Sequence, residues 1–169
     1  GFSNDKVDVQ YSHPDLFFSE NLDDFVNRVA KLPLKFQPGT RYNYSIAVDL
    51  TGLVIERLSG QSLDKYFSEN IFKPLAMKDT FFQVPEDKRD RFLTRYRYDQ
   101  KNNYPVEYPA TPNQAMDDFI NVSMFSGGGG LVSTAMDYMI FAESLRNGGE
   151  YNGERILSEK TIKFMTKNH

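Results

Sequence analysis

Apolar residues recur at helical spacing in five stretches of the chain. Leu22, Phe25, Val26 and Val29 fall three or four apart and share one helix face. Asn21 precedes them as an N-cap, Asp23 and Asp24 occupy the first turn where the helix dipole favours acids, and Pro33 ends the run. Ile46, Leu50, Leu53, Val54 and Leu58 form a second stripe, with Gly60 placed where a left-handed residue closes a helix. A third helix starts at Ser62 as N-cap, turns Tyr66, Phe67 and Ile71 inward and stops at Pro74. Thr134-Ala135-Met136-Asp137 has the pattern of a capping box and opens a fourth, with Tyr138, Phe141, Ala142 and Leu145 inward and Asn147-Gly148 at its end. Ser158 caps the last, which carries Ile162, Phe164 and Met165.

Strand patterns are fewer and shorter. Thr80 to Val84 predicts a short strand, and Thr94 to Asp99 alternates tyrosine with arginine before a turn at Lys101-Asn102-Asn103. Asn152-Gly153 predicts a tight hairpin. The mixed charges from Glu86 to Arg91 predict a solvated helical turn. The first twenty residues read as loop with a turn at His13-Pro14-Asp15. From Tyr104 to Phe125 the prolines at 105, 109 and 112 argue against regular structure, and a loop of that length is often a lid or a site wall.

Composition narrows the function classes. At 169 residues, 40% hydrophobic and 25% charged, the chain is a single globular domain by length and composition, taken as residues 1–169. A net charge of −3 gives no electrostatic footprint for nucleic acid or an anionic membrane. There is no cysteine, hence no disulfide or thiolate metal site, and no apolar run approaches a membrane span. His13 with Asp15 lacks a third ligand, so neither a metal nor a cofactor is expected.

The chemistry concentrates in Phe36-Gln37-Pro38-Gly39-Thr40-Arg41-Tyr42-Asn43-Tyr44-Ser45. Pro38-Gly39 is a turn corner, since Pro presets φ and Gly accepts φ > 0. Tyr44-Ser45 then falls at the first turn of the second helix, where free N–H groups and the positive dipole end favour negative charge and a phenol can shuttle a proton. Gly127 to Gly130 lack the Lys-Ser/Thr ending of a phosphate-binding loop, so close backbone approach is the better account of them.

Several of these blocks, in order, resemble the serine β-lactamase-related family of class C β-lactamases, D-alanyl-D-alanine peptidases and related esterases. They are Pro38 to Ser45, Val54 to Leu63, Ile71 to Thr80, and Ser126-Gly127-Gly128-Gly129-Gly130-Leu131-Val132-Ser133-Thr134-Ala135-Met136-Asp137. The resemblance implies acyl transfer by three motifs: a Ser-x-x-Lys nucleophile and base, a Tyr-containing motif, and a Lys- or His-containing strand. Tyr44-Ser45-Ile46 matches the second, with Ile46 where lactamases carry asparagine. This makes Tyr44 the proton relay and puts Ser45, Gly128, Gly129 and Gly130 on the substrate side. Gly129 falls where lactamases offer an aromatic side chain, which fits a roomier ester or peptide site. An equally weighted account is a backbone requirement for φ > 0.

Ser3-Asn4-Asp5-Lys6 and Ser62-Leu63-Asp64-Lys65 match Ser-x-x-Lys literally, but chance matches are common for so short a motif. Ser3 has no helix to orient its lysine, and Ser62 follows the tyrosine, the reverse of the family order. The expectation is therefore an α+β piece of the β-lactamase/transpeptidase-like fold, mostly α-helical with small β-hairpins. Its nucleophile would lie before Gly1 and its third motif beyond His169, so that the isolated chain is inactive. The implied partner is a small-molecule or peptide substrate carrying an ester, amide or β-lactam. A bacterial periplasmic or secreted location is slightly favoured by the resemblance. The competing reading is a non-catalytic helical binding or structural module in which Tyr44 is a packed aromatic.

Overall fold

The computed structural model describes residues 6–107 and 119–168. Contacts group the chain into two compact units: Gly1–Leu53 with Gln83–Gly130, and Val54–Phe82 with Leu131–His169. The boundary between them falls inside one helix.

In the first unit the opening residues form two helical turns, α1 (Asp8–Tyr11) and α2 (Pro14–Phe17), where the sequence reads as loop. The reason is local. Pro14 sits at the first helical position, where its missing N–H costs nothing, and the His13 ring accepts the Asp15 N–H as a cap. Helix α3 (Leu22–Val29) follows as expected, with the Asn21 side chain accepting the Asp24 N–H at 2.9 Å. Leu22, Phe25 and Val29 are buried on its inner face, with Leu16 of α2 also in the core.

Helix α4 (Ala47–Ser59) begins three residues after Tyr44, and Gly60 closes it at φ +69°. Its buried face is not the whole apolar stripe. Ile46, Asp49, Gly52 and Leu53 are buried, whereas Val54 and Leu58 lie well round the helix from them and are exposed, Leu58 by 84%. A charged residue thus takes a core position that periodicity gives to apolar ones.

Strands β1 (Tyr96–Asp99) and β2 (Tyr104–Glu107) form an antiparallel hairpin with Tyr98 opposite Pro105. Pro105 in the sequence argues against a strand at β2. A two-stranded ribbon has a free edge on each strand, however, and a proline tolerates the edge position. The Asp99 carboxylate accepts the Lys101 N–H and the Asn102 side chain, which closes the expected turn, and Asn103 adopts φ +58°. The prolines at 109 and 112, and half of the stretch from Tyr104 to Phe125, fall outside the described residues.

The second unit is built around Phe72, Leu75 and Met77, with Phe67, Ile71, Ile140, Phe141, Tyr151 and Ile156 packed on them. Helix α5 (Leu63–Phe67) runs into one π-helical turn, Ser68–Phe72. Ser62 holds the N-cap position without making the side-chain bond. The Glu56 carboxylate takes the Leu63 N–H instead, at 2.8 Å. Among the described residues, the stretch around Phe81 forms a single antiparallel bridge, to Val132, less than the strand expected.

Helix α6 (Ala135–Arg146) is capped by Thr134 as its sequence indicates, but Tyr138 is exposed rather than inward, and the box is half-made. The Asp137 carboxylate turns away to accept the Asp79 N–H at 2.8 Å and the Thr80 hydroxyl at 2.9 Å. Strands β3 (Glu150–Tyr151) and β4 (Glu154–Arg155) form the hairpin at Asn152-Gly153, both residues with positive φ. Helix α7 (Glu159–Met165) starts on the Ser158 cap. No helix among the described residues is long and apolar enough to cross a membrane.

Candidate active site

The turn before Tyr44 is folded by short-range bonds. Gly39 has φ +80° and Thr40 returns both its N–H and its hydroxyl to the Gln37 carbonyl, at 3.3 and 2.7 Å. This is the arrangement Pro38-Gly39 dictates. Arg41 then lies 5.1 Å over the Phe36 ring. The chain continues without regular structure, and Tyr44 stands with 69% of its surface open. Among the described residues nothing bonds its hydroxyl, which leaves the phenol free to meet a ligand.

Ser45 acts on the backbone. Its Oγ accepts the Ala47 N–H at 3.3 Å, and the Ile46 carbonyl receives the Asp49 and Leu50 amides, so the helix is capped just after the tyrosine. Tyr44 therefore precedes the first turn rather than lying in it. Ile46 is only 9% exposed and offers no polar side-chain group to a substrate. It lines a cavity of about 260 Å³ together with Val29, Leu34, Phe36, Ser45 and Leu50. Lys35 and Asp8 pair at 2.6 Å at the wall of that cavity.

Asp49 is one turn further on. Its carboxylate, 6% exposed, accepts the Ser126 hydroxyl at 2.5 Å and the Gly128 N–H at 3.2 Å through the same oxygen. The Ser126 oxygen in turn accepts the Gly129 N–H at 3.2 Å, and the Ser126 carbonyl accepts the Gly130 N–H at 3.0 Å. Each donor in the glycine turn from 128 to 130 is thus directed inward.

Gly127 and Gly128 are required for space. A Cβ on Gly127 would stand 2.6 Å from the Val48 carbonyl oxygen, and one on Gly128 would stand 2.9 Å from Asp49 Oδ2. The positive-φ glycines among the described residues are Gly39, Gly60, Gly148, Gly149 and Gly153, so left-handed backbone does not account for Gly129. Gly128 and Gly129 are exposed on the outer side of the turn.

The model of the Beta-lactamase family matches residues 2–168. The chain belongs to this family. Protein Rv1367c of Mycobacterium tuberculosis is 32% identical over 157 residues, which are 93% of this chain and 38% of that protein. The N-acetylmuramyl-L-alanine amidase of Bacillus subtilis is 27% identical over 160 residues, 89% of this chain and 36% of the amidase. Among solved structures, EstCE1, a hydrolase with promiscuous acyltransferase activity, superimposes with a TM-score of 0.70 at 24% identity, covering 86% of this chain and 39% of its own. The fold is accordingly the α+β β-lactamase/transpeptidase-like one. This chain spans a little over a third of the length of the curated relatives it matches.

Of the residues singled out in the sequence, Tyr44, Ser45 and the 128–130 turn all belong to the first unit, and α4 links them through Asp49. Ser62 belongs to the second unit, exposed at the start of α5, and Ser3 falls outside the described residues. His13 and Asp15 lie 3.4 Å apart on the surface, and no group of three or more metal-ligating side chains occurs among the described residues. Sequence reasoning missed Asp49 and Ser126. The signal was a carboxylate one turn from Ile46 and one from Leu53, on the apolar face of a helix, where an acid survives only if something distant bonds it.

Proposed function

We propose that this chain is the tyrosine-bearing part of a serine hydrolase that works by acyl transfer on an ester or amide. Tyr44 relays the proton between nucleophile and leaving group, and Gly128, Gly129 and Gly130 with Ser45 border the substrate. The serine nucleophile and its lysine lie outside residues 1–169. One observation carries the reading: an exposed phenol with no partner among the described residues stands just ahead of a helix that also holds the glycine turn. A packed structural tyrosine would bury its ring and bond its hydroxyl. Here the tyrosine does neither.

The names of relatives support the substrate class, since one is an amidase and one a hydrolase with acyltransferase activity. A dedicated lactamase fits less well. The position after Ser45 is a buried isoleucine, so no side-chain amide is available there to hold an acylamino group. General acid–base transfer by one positioned group accounts for roughly 10²–10⁴ in rate, and the remainder falls to the nucleophile and oxyanion donors.

Labelling with a fluorophosphonate tests the assignment. The 169-residue chain should take up no probe and hydrolyse neither p-nitrophenyl acetate nor nitrocefin. The full-length protein should be labelled once, at a serine outside this sequence. Stoichiometric labelling of Ser3 or Ser62, read by intact mass and peptide mapping, would overturn the proposal.

A further inference from the structure

We infer that Asp49 is a positioning residue, which fixes a wall of the active site without touching substrate; the inference rests on the function proposed above. A buried carboxylate is expensive unless its lone pairs are filled. Nothing in the packing of α4 asks for one at this position, since its neighbours on that face are Ile46, Gly52 and Leu53. What Asp49 does is reach 77 residues along the chain to Ser126.

The bonds form a relay. Ser126 donates its proton to Asp49 Oδ1 and, with its oxygen so polarised, accepts the Gly129 N–H, while Gly128 donates directly to Oδ1. Charge-assisted bonds of this kind are short and directional, so they set the turn's register as well as hold it. The near contact of Gly127 with the Val48 carbonyl adds a steric stop on the same helix turn. Helix α4 thus begins three residues after Tyr44 and holds the glycine turn against its first turn.

Two consequences follow for chemistry. The N–H groups of Gly128, Gly129 and Gly130 are all used inward, so this turn cannot serve as an oxyanion hole and presents a wall free of donors and side chains. Loosening Asp49 would let that wall shift relative to Tyr44. Misplacement by about an ångström costs on the order of 100-fold in rate for groups that must be aligned.

The test is made in the full-length protein, at a temperature where circular dichroism shows every variant folded. Asp49→Ala should lower kcat/KM by about 10- to 100-fold, with kcat reduced as well as KM raised. Asp49→Asn, whose amide oxygen still accepts from Ser126 and Gly128, should restore most of the loss, to within about fivefold of wild type. Hydrogen exchange at the Gly128 and Gly129 amides should accelerate in Asp49→Ala and recover in Asp49→Asn. Ser126→Ala, which keeps the carboxylate and breaks only the relay, provides the same reading should Asp49→Ala fail to fold. If Asp49→Ala or Ser126→Ala leaves kcat/KM within twofold while Tyr44→Phe is strongly impaired, the function stands and the positioning role is overturned. If Tyr44→Phe is itself silent, the function fails and the positioning role fails with it. Unchanged glycine exchange in both clamp variants would show that the clamp does not hold the turn.

Discussion

Two buried aspartates use the same device in the two units, to different ends. Asp49, near the start of α4, catches the turn at Ser126 and Gly128; Asp137, near the start of α6, catches the backbone of Asp79 and the hydroxyl of Thr80. Each is 6% exposed and each gathers a segment more than fifty residues away in sequence. Around Asp137 the join is reinforced. Thr80 also bonds Ser133 at 2.8 Å, Phe81 bridges to Val132, and Phe141 of the same helix packs into the core around Leu75. Around Asp49 the join ends in bare glycines, with Gly128 and Gly129 exposed, and the helix start carries an exposed tyrosine. One carboxylate completes a core. The other anchors an exposed glycine turn, the surface proposed to border the substrate.

Breaking the two clamps should therefore give different signatures. Asp137→Ala removes the acceptor of the half-buried Asp79 N–H and leaves the buried Thr80 hydroxyl with Ser133 alone, at about 1–3 kcal/mol for each bond lost. The expected loss is about 3 kcal/mol, read as a fall in Tm of roughly 10 °C for a chain of this size. In the full-length protein, at a temperature where the variant is folded, kcat should be unchanged. A kcat loss at Asp137 equal to that at Asp49 would remove the distinction between the units.

Gly129→Ala sharpens the comparison from the substrate side. In an active full-length protein it should raise KM for esters with bulky acyl groups severalfold and leave Tm within about 1 °C, since an exposed surface position has little effect on stability. A fall in Tm with unchanged KM would assign the turn to folding alone.

The smallest effect is electrostatic and lies away from both clamps. The Arg28 guanidinium bonded to Asp24 holds that carboxyl below its ordinary value, with the Glu20 N–H adding to the effect and partial burial opposing it. A carboxylate with a lowered native pKa contributes stability that is complete above the ordinary carboxylate range and is lost as pH falls through the lowered value. Thermal melts of wild type and Asp24→Asn should differ slightly at neutral pH and converge in acid. A difference that grows in acid would contradict the assignment.

Local rules made much of this molecule legible. Asn21, Thr134 and Ser158 cap the helices where their spacing says they should, and Gly39, Gly60, Asn152 and Gly153 take the positive φ that their turns need. These features depend on neighbours within four residues. What was not legible depends on distant partners. The exposure of Val54, Leu58 and Tyr138 is decided by what each helix packs against, which periodicity does not contain. The roles of Asp49 and Asp137 are set by residues 77 and 58 positions away. The tyrosine and the glycine turn were each visible as motifs, but the bonds that bring them onto one helix were not.

The central claim is that Tyr44 moves a proton, and the turnover of Tyr44→Phe tests it most directly. In the full-length protein, under saturating ester and with circular dichroism unchanged, kcat should fall by about 10²–10⁴ because the relay is lost while the ring remains. A kcat within about twofold of wild type would make Tyr44 a surface aromatic and contradict the account, since loss of general acid–base catalysis has a far larger effect.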